Sequence, residues 1–423
     1  MDLFEKGKEI LATKTFSQSA LTIFATILSG VLGLFFYLTL AKELGTAAFG
    51  IFSVGVATLS LLADVGDLGT DTGLIRFIGK YINEKDKVAK FLKLGLEINL
   101  AVWIVVLVIG WFLTPLIAER ILLKPELLTP LRLALFGFGG ALLFSFSNHA
   151  LQAFQKYTVW SLAQVFGNLV RFLVVLLIIF TIGLNLYNSL YIYILVPFVF
   201  FLLSLLFLPK FFKVRNELSV SKEFFNFNIW VFIITIISAL AARTDTFLIT
   251  RFLPINQVGI YAAAMQLTSF MPQLAFAIAT VAAPKLAGFT TKAMTIKYLK
   301  KLQLFCTGIA LVGLTGIPVA YLLINKFYGQ SYLQSFLPFV ILYLGQLLLL
   351  MALPAQQAIF YYFAKPKFFV PLSVLHLAII LILGTIFINS LGIVGAAWAV
   401  LISEIMLVIM PVSWVVYQFT KNE

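Results

Sequence analysis

The chain has 423 residues, of which 61% are hydrophobic and 11% charged, with a formal net charge of +13 and a mean hydropathy of +1.04. A water-soluble domain has roughly 45–50% apolar and about 25% charged residues, so this composition excludes one and places the chain in a bilayer. The single cysteine, Cys306, excludes an internal disulfide and any multi-cysteine metal site, and reads as a small core hydrophobe.

The opening stretch "MDLFEKGKEILATKTFSQ" is not a cleavable signal, because the apolar run after it is too long and no small-residue cleavage site closes a short core. Phe4, Ile10 and Leu11 alternate there with Glu5, Lys6, Lys8 and Glu9, which predicts a short helix lying on the inner membrane surface. A spanning helix needs about 20 mostly apolar residues. Such runs predict twelve helices, at about 15–40, 47–69, 88–117, 129–154, 158–182, 187–209, 224–252, 257–283, 298–324, 333–363, 367–389 and 391–419. Pro197, Pro272, Pro318, Pro354 and Pro411 fall inside these runs and read as kinks, since neighbouring helices can satisfy the backbone groups that proline frees. "GFGG" (137–140) inside the fourth run reads as a site of close helix packing.

Orientation follows from the loops. With the N-terminus inside, most of the 30 basic residues fall on the inner side, among them Arg76, Lys80, Lys90, Lys213, Lys297 and Lys365. Both termini are then cytoplasmic, in a multi-pass protein of the cell (inner) membrane. The positive charge is topological: it faces anionic membrane lipid, and no nucleic-acid partner is implied.

"AKELGTAAFGIFSVG" (41–55) aligns with "TRFLPINQVGIYAAA" (250–264) at a constant spacing of 209 residues, so that Gly50 meets Gly259 and Phe52 meets Tyr261. The same spacing carries Arg76 onto Lys285, Lys156 onto Lys365 and Gly183 onto Gly392. The pattern predicts two six-helix halves, 1–214 and 215–423, joined near "KVRNELSVSKE" (213–223), a polar segment suited to a linker that permits motion. Six is even, so the repeats are parallel. Parallel repeats occur in transporters whose substrate site lies between the halves. The fold class is thus an all-α integral membrane protein, with twelve transmembrane helices in two parallel six-helix repeats around a central cavity.

"RTDTFLITRFLPINQVGIYAAA" (243–264) resembles the seventh-helix signature of the polysaccharide (O-antigen-type) flippases, within the multidrug, oligosaccharidyl-lipid and polysaccharide exporter superfamily. "LAKELGTAAFGIFSVGVATLSLLADVGDLG" (40–69) resembles the matching first-half motif, and "TGLIRFIGKY" (72–81) the basic segment after helix two. The resemblance implies a V-shaped bundle that moves lipid-linked sugars from the inner to the outer leaflet. Lipid II flippases of this superfamily carry two further helices not found here, which argues against a cell-wall precursor.

A charge at the bilayer centre costs roughly 2.5–3.5 kcal/mol on insertion scales, so each one needs a reason. Arg243 shares a helix face with Thr246 and Thr250, a polar stripe suited to a wet cavity, and its guanidinium suits substrate phosphate. Asp245 points elsewhere, among Ser238, Ala241 and Ala242, where another helix or a coupling cation could approach. The competing reading of both charges is structural pairing with other helices. Arg171 lies mid-helix with Gln164 and Asn168 on its face, and reads as cavity lining or an inter-helix partner. Arg76 reads as a positive-inside anchor or an entry site for phosphate.

Asp64, Asp67 and Asp71 cluster at the inner end of helix two. They could close a gate against Arg76 or Lys285, take up a proton, or simply solvate a helix end. Glu97 and Glu404 are further candidate proton carriers. His149 and His376 titrate near neutral pH, but a lone histidine is more often a hydrogen-bonded core residue. No HExxH, CxxC or GxxxxGK pattern occurs, so no ATP site, metal or other cofactor is implied and no catalytic residue is assigned.

The function these features support is translocation of a polyprenyl-pyrophosphate-linked oligosaccharide by alternating access. The drive would be an ion gradient (proton or sodium) or the membrane potential. Its partners are that lipid-linked substrate, membrane lipid and other polysaccharide-assembly membrane proteins. The alternatives are a cation-coupled drug or metabolite exporter, disfavoured by Arg171 and Arg243, and a membrane glycan polymerase or ligase. The outer loops here are too short for such an enzyme.

Overall fold

The computed structural model describes residues 14–421, and the expected surface helix falls largely on residues 1–13, outside them. Most of the described residues are helical, with no strand among them. The helices are α1 Lys14–Gly66, α2 Thr70–Lys80, α3 Lys85–Pro115, α4 Leu128–Ala153, α5 Tyr157–Thr181, α6 Leu186–Leu205 and α7 Leu218–Phe252, followed by α8 Ile255–Thr268, α9 Phe270–Ala287, α10 Lys292–Gly313, α11 Gly316–Leu323, α12 Phe336–Gln357, α13 Phe369–Leu391 and α14 Ile393–Lys421. Eleven stretches are long and apolar enough to cross a membrane. The first, Leu21–Gly66, contains a break at Gly45, whose φ of 71° a side chain would resist. The break divides it into two segments of crossing length, so the twelve expected helices are present.

Exposed apolar side chains such as Phe112, Phe180, Leu206 and Val312 mark surface that hydrocarbon covers. Of the expected kinks, Pro197, Pro354 and Pro411 do lie inside helices. Pro272 and Pro318 stand third in α9 and α11, each just after a break within one continuous apolar span (Ile255–Ala287 and Lys292–Tyr328), so they too interrupt their spans without ending them. The short helix α2, expected only as a basic segment, is a separate element.

By packing, the chain forms two compact units. Among the described residues, the first comprises 14–36 and 55–236, the second 37–54 and 237–421. This partition differs from the 1–214 and 215–423 division, which rests on the sequence repeat. One boundary falls within continuous α7, and the segment 37–54 joins the second unit.

The first unit is centred on Leu74, Phe77, Phe91, Phe146, Phe211 and Phe224, all buried. Phe77 stacks on Phe91 with centroids 4.7 Å apart. Close packing at 137–140 is as expected: a Cβ at Gly139 would come within 2.0 Å of the Trp103 indole, so only glycine lets α3 and α4 meet there. The linker lies along α3 and α2. Lys90 bonds Glu217 at 3.0 Å, Lys93 donates to the Val214 carbonyl at 2.8 Å, and Lys80 bonds Glu223 at 2.8 Å. These polar ties each contribute little, and the segment is also held by Val220, which is buried in the core of the first unit.

In the second unit, residues 46–54 cross α8 with almost no separation. A Cβ on Gly50 would sit 2.2 Å from the Ile255 carbonyl oxygen, and one on Gly259 would sit 1.9 Å from that of Thr46. Tyr332 closes the same region by donating to the Ala41 carbonyl at 2.8 Å. Backbone features recur at the sequence spacing: Gln155 and Ala364 both have positive φ (55° and 49°), as do Gly183 and Gly392 (79° and 61°).

Candidate functional site

The polar groups inside the helices gather in three places. The first is on α7. Asp245 is buried, and its two oxygens are taken by protein donors: Oδ2 by the Tyr261 hydroxyl at 2.8 Å and Oδ1 by the Thr246 amide at 2.6 Å. Tyr261 is 1% exposed. It belongs to the "GIY" motif, and the close crossing at Gly259 sets its place on α8. Glu404 on α14 is 4% exposed. Its Oε1 accepts from Gln346 Nε2 at 2.6 Å and its Oε2 has no partner. Gly345 makes room for it, because a Cβ at that position would lie 1.8 Å from Glu404 Oε2.

Arg243 behaves differently. Its guanidinium donates to the Ala242 carbonyl at 3.2 Å. It is only partly buried and forms no ion pair among the described residues. The structural pairing with an acid on another helix is therefore not what holds it. The polar stripe expected beside it is a correction, however. Thr250 is fully buried and bonds the Thr246 carbonyl, while Thr246 is 6% exposed and bonds Asp245 and Met265. Both threonines serve helix packing, and Arg243 alone of the three is open to solvent or ligand.

The second place is Arg171 on α5. Its guanidinium lies 4.5 Å over the Tyr193 ring, and its bonds to Asn168 (3.4 Å) and the Tyr193 carbonyl (3.5 Å) are long. Its Nε is buried without a partner. Phe144, Gln164, Asn168 and Phe200 complete a cavity of about 30 Å³ beside it, room for about one water.

The third place is the turn between α1 and α2. Asp67 Oδ1 accepts from Thr70 Oγ1 at 2.6 Å and from the Asp71 amide at 2.9 Å. Asp71 Oδ2 receives Ser145 Oγ at 2.5 Å and lies 3.0 Å from His149 Nδ1. His149, expected as a core residue, is thus an acid's partner. Asp64, one turn earlier, is exposed.

Two sequence candidates are placed elsewhere. Glu97 pairs with Lys93 at 3.6 Å and accepts from Asn216 at 2.7 Å, with its side chain 43% exposed. It bonds the linker and pairs with a lysine, which leaves it poorly suited to the proton-carrier reading. Arg76 is exposed and packs its guanidinium 4.4 Å from the Phe227 ring. Among the described residues no group of histidine, cysteine or acids is arranged to hold a metal. Sequence reasoning missed Tyr261, Gln346, Ser145 and Asn99. Only Tyr261 carried a local signal, as a member of the repeated motif.

A family described as "Polysaccharide biosynthesis protein" matches residues 17–289, nearly two thirds of the chain. The chain belongs to this family. No curated relative matches it. Among solved structures, it resembles an inward-facing multidrug resistance MATE family transporter of the MOP superfamily, at 16% identity, covering 95% of this chain and 98% of that one with a TM-score of 0.74. The lipid II flippase MurJ, in an inward closed conformation, is similar at 16% identity over 95% of this chain and 89% of MurJ, with a TM-score of 0.71. A MOP superfamily transporter from Pyrococcus furiosus, described as having a binding pocket of reverse polarity, matches at 15% identity over 95% of each chain, with a TM-score of 0.64. Identities this low carry the fold. This member of the polysaccharide biosynthesis family therefore has the twelve-helix MOP transporter fold, and is a multi-pass membrane protein.

Proposed function

We propose that the chain translocates a polyprenyl-pyrophosphate-linked oligosaccharide from the inner to the outer leaflet, for surface polysaccharide assembly. The observation that carries this reading is Arg243. A guanidinium in a membrane helix, with one backbone bond and no ion pair among the described residues, retains donors for an anionic head group. Arg171, bonded weakly and with an orphaned Nε, supports a second contact. Exposed Arg76 would meet the phosphate at entry. The family supports a polysaccharide-related role, and the MurJ likeness supports a lipid-linked substrate.

The two carboxylates in the second unit suit the coupling step. Asp245 and Glu404 are both buried and hydrogen-bonded, so loading a proton or cation on either removes a buried negative charge. Asp64 and Asp67 would act in gating. Transport would proceed by alternating access, and the shared φ anomalies at a 209-residue spacing support two duplicated halves. Both termini would be cytoplasmic, as the basic loops favour. The role is transport without a catalytic step. Deleting the gene should make the polyprenyl-linked glycan accumulate on the inner leaflet. Normal glycan export, with no accumulated carrier, would contradict the proposal.

A further inference from the structure

The lysines of the two units have different company. In the first unit, Lys80, Lys87, Lys90 and Lys93 each meet a carboxylate, supplied by Glu223, Glu84, Asp86, Glu217 and Glu97. In the second, the sequence from Thr246 to Ser403 contains no acidic residue, yet it carries Lys292, Lys297, Lys300, Lys301, Lys365 and Lys367. Lys297, Lys300 and Lys301 form no ion pair among the described residues. A positive cluster that its own chain does not neutralise is complementary to an anion from outside.

These lysines stand beside a cavity. The first turns of α10 and the last turns of α12 and α14 border about 310 Å³, walled by Ile296, Leu299, Pro354, Val412, Val415 and Phe419. That volume is at the lower end of the range for ligand sites. The lining on α10 recurs at 296, 299, 300 and 303, one face of the helix, so Lys300 shares that face with apolar side chains. The other polar lining groups are used within the protein: Gln303 Nε2 donates to the Met351 carbonyl at 2.9 Å, and Thr420 Oγ1 to the Tyr417 carbonyl at 3.0 Å. Lys300 is exposed. The cavity therefore offers apolar walls and one cation at its rim.

Two features set it at the membrane–water boundary and open it to lipid. Lys365 lies 5.4 Å from the centre of the Trp414 ring and Lys421 5.7 Å from that of Tyr417, the aromatic and basic pairing of an interface. From the rim, Leu304 (76% exposed) and Leu311 continue the face of Lys300 along α10, an apolar stripe that hydrocarbon covers. A bilayer lipid reaches the cavity from that side.

We propose that the second unit carries a binding site for an anionic glycerophospholipid, with one acyl chain in the cavity between α10, α12 and α14 and the headgroup phosphate on Lys300. Lys297 and Lys301, each one position from the cavity face, add to the attraction. The occupant is a bilayer phospholipid: it is present at the boundary at all times, and a lysine, a point charge, needs only one phosphate. This end of the unit is the one that the basic loops favour for the inner side, where anionic lipid is concentrated. The site does not depend on what the protein transports.

The test is native mass spectrometry of the full chain, released from micelles supplied with equal amounts of phosphatidylglycerol and phosphatidylcholine. Wild type should retain phosphatidylglycerol preferentially. Lys300→Gln should cut its retention about fivefold, the effect of one lysine at an anionic surface, and Lys300→Arg should keep it. Val416→Trp fills the cavity from its exposed wall and should lower retention with every lysine in place. Lys367→Gln, at the same end but off the lining, is the control and should change nothing. No preference in wild type, an equal loss in Lys367→Gln and Lys300→Gln, or normal retention in Val416→Trp would overturn the site. Added polyprenyl phosphate or inorganic phosphate should leave the bound phospholipid in place. Displacement by either would give the site to the carrier or to a free anion, and would overturn the proposal.

Discussion

Arg243→Ala abolishes flipping of the lipid-linked glycan while the protein still accumulates in the membrane: that is the expected result, and it follows from what Arg243 lacks. An arginine held by an acid on another helix would leave that acid buried and unpaired when removed, and abundance would fall. Among the described residues Arg243 bonds the Ala242 carbonyl and no acid, and Asp245 is already bonded by Tyr261 and Thr246. Removing the guanidinium therefore leaves the fold's own hydrogen bonds intact. A charge-assisted bond to phosphate contributes about 1.5–3 kcal/mol, or roughly ten- to a hundredfold in rate for each bond lost. Arg243→Lys keeps the charge but not the planar fork, and should retain part of the activity. Membrane abundance and flipping must be measured together. A well-expressed Arg243→Ala protein with normal flipping would refute the substrate role.

The second large effect is expected at Gly259. A methyl group there would lie 1.9 Å from the Thr46 oxygen and 2.9 Å from the Gly50 nitrogen. Both are backbone atoms and cannot rotate away, so the crossing helices must move apart. Overpacking of this kind typically costs 1–3 kcal/mol, and about the upper end is expected against a backbone carbonyl. Gly259→Ala and Gly50→Ala should each lower the amount of folded protein in a thermal-stability assay. Gly33→Ala is the control: nothing lies within 4 Å of its Cβ position, and alanine favours a helix by about 0.5–1 kcal/mol. If Gly259→Ala is as stable as Gly33→Ala, the close crossing is not a requirement of the fold.

Most of the fold was legible because bilayer helices announce themselves by length and hydropathy. The break at Gly45 coincides with the loop placed between the first two runs, and the Gly50 and Gly259 pairing found by alignment corresponds to atoms in near contact. The short helix α2 was not legible. It is amphipathic and carries Arg76 and Lys80, so it gives no spanning signal.

The candidate site was legible by residue type but not by contact. Sequence identified Arg243 and Asp245 as costly, and the structure gives them different surroundings, one partly open and one buried. It did not reveal that Thr246 and Thr250 turn inward, because a three-to-four residue spacing defines a face without saying what covers it. The Asp71 partners were out of reach for another reason. Ser145 lies 74 positions further along the chain, and no periodicity connects α4 to the turn before α2.

The central claim is transport of a lipid-linked glycan driven by ions or potential. It is tested most directly by purified protein in sealed vesicles, loaded with polyprenyl-pyrophosphate glycan and assayed by access of a membrane-impermeant glycan-modifying enzyme. A membrane potential supplies ≈2.3 kcal/mol per charge at 100 mV. The account predicts that glycan becomes accessible only with the protein present, and that collapsing the gradients slows this sharply. Equal accessibility in protein-free vesicles would contradict the transport claim; an undiminished rate after collapse would contradict the coupling.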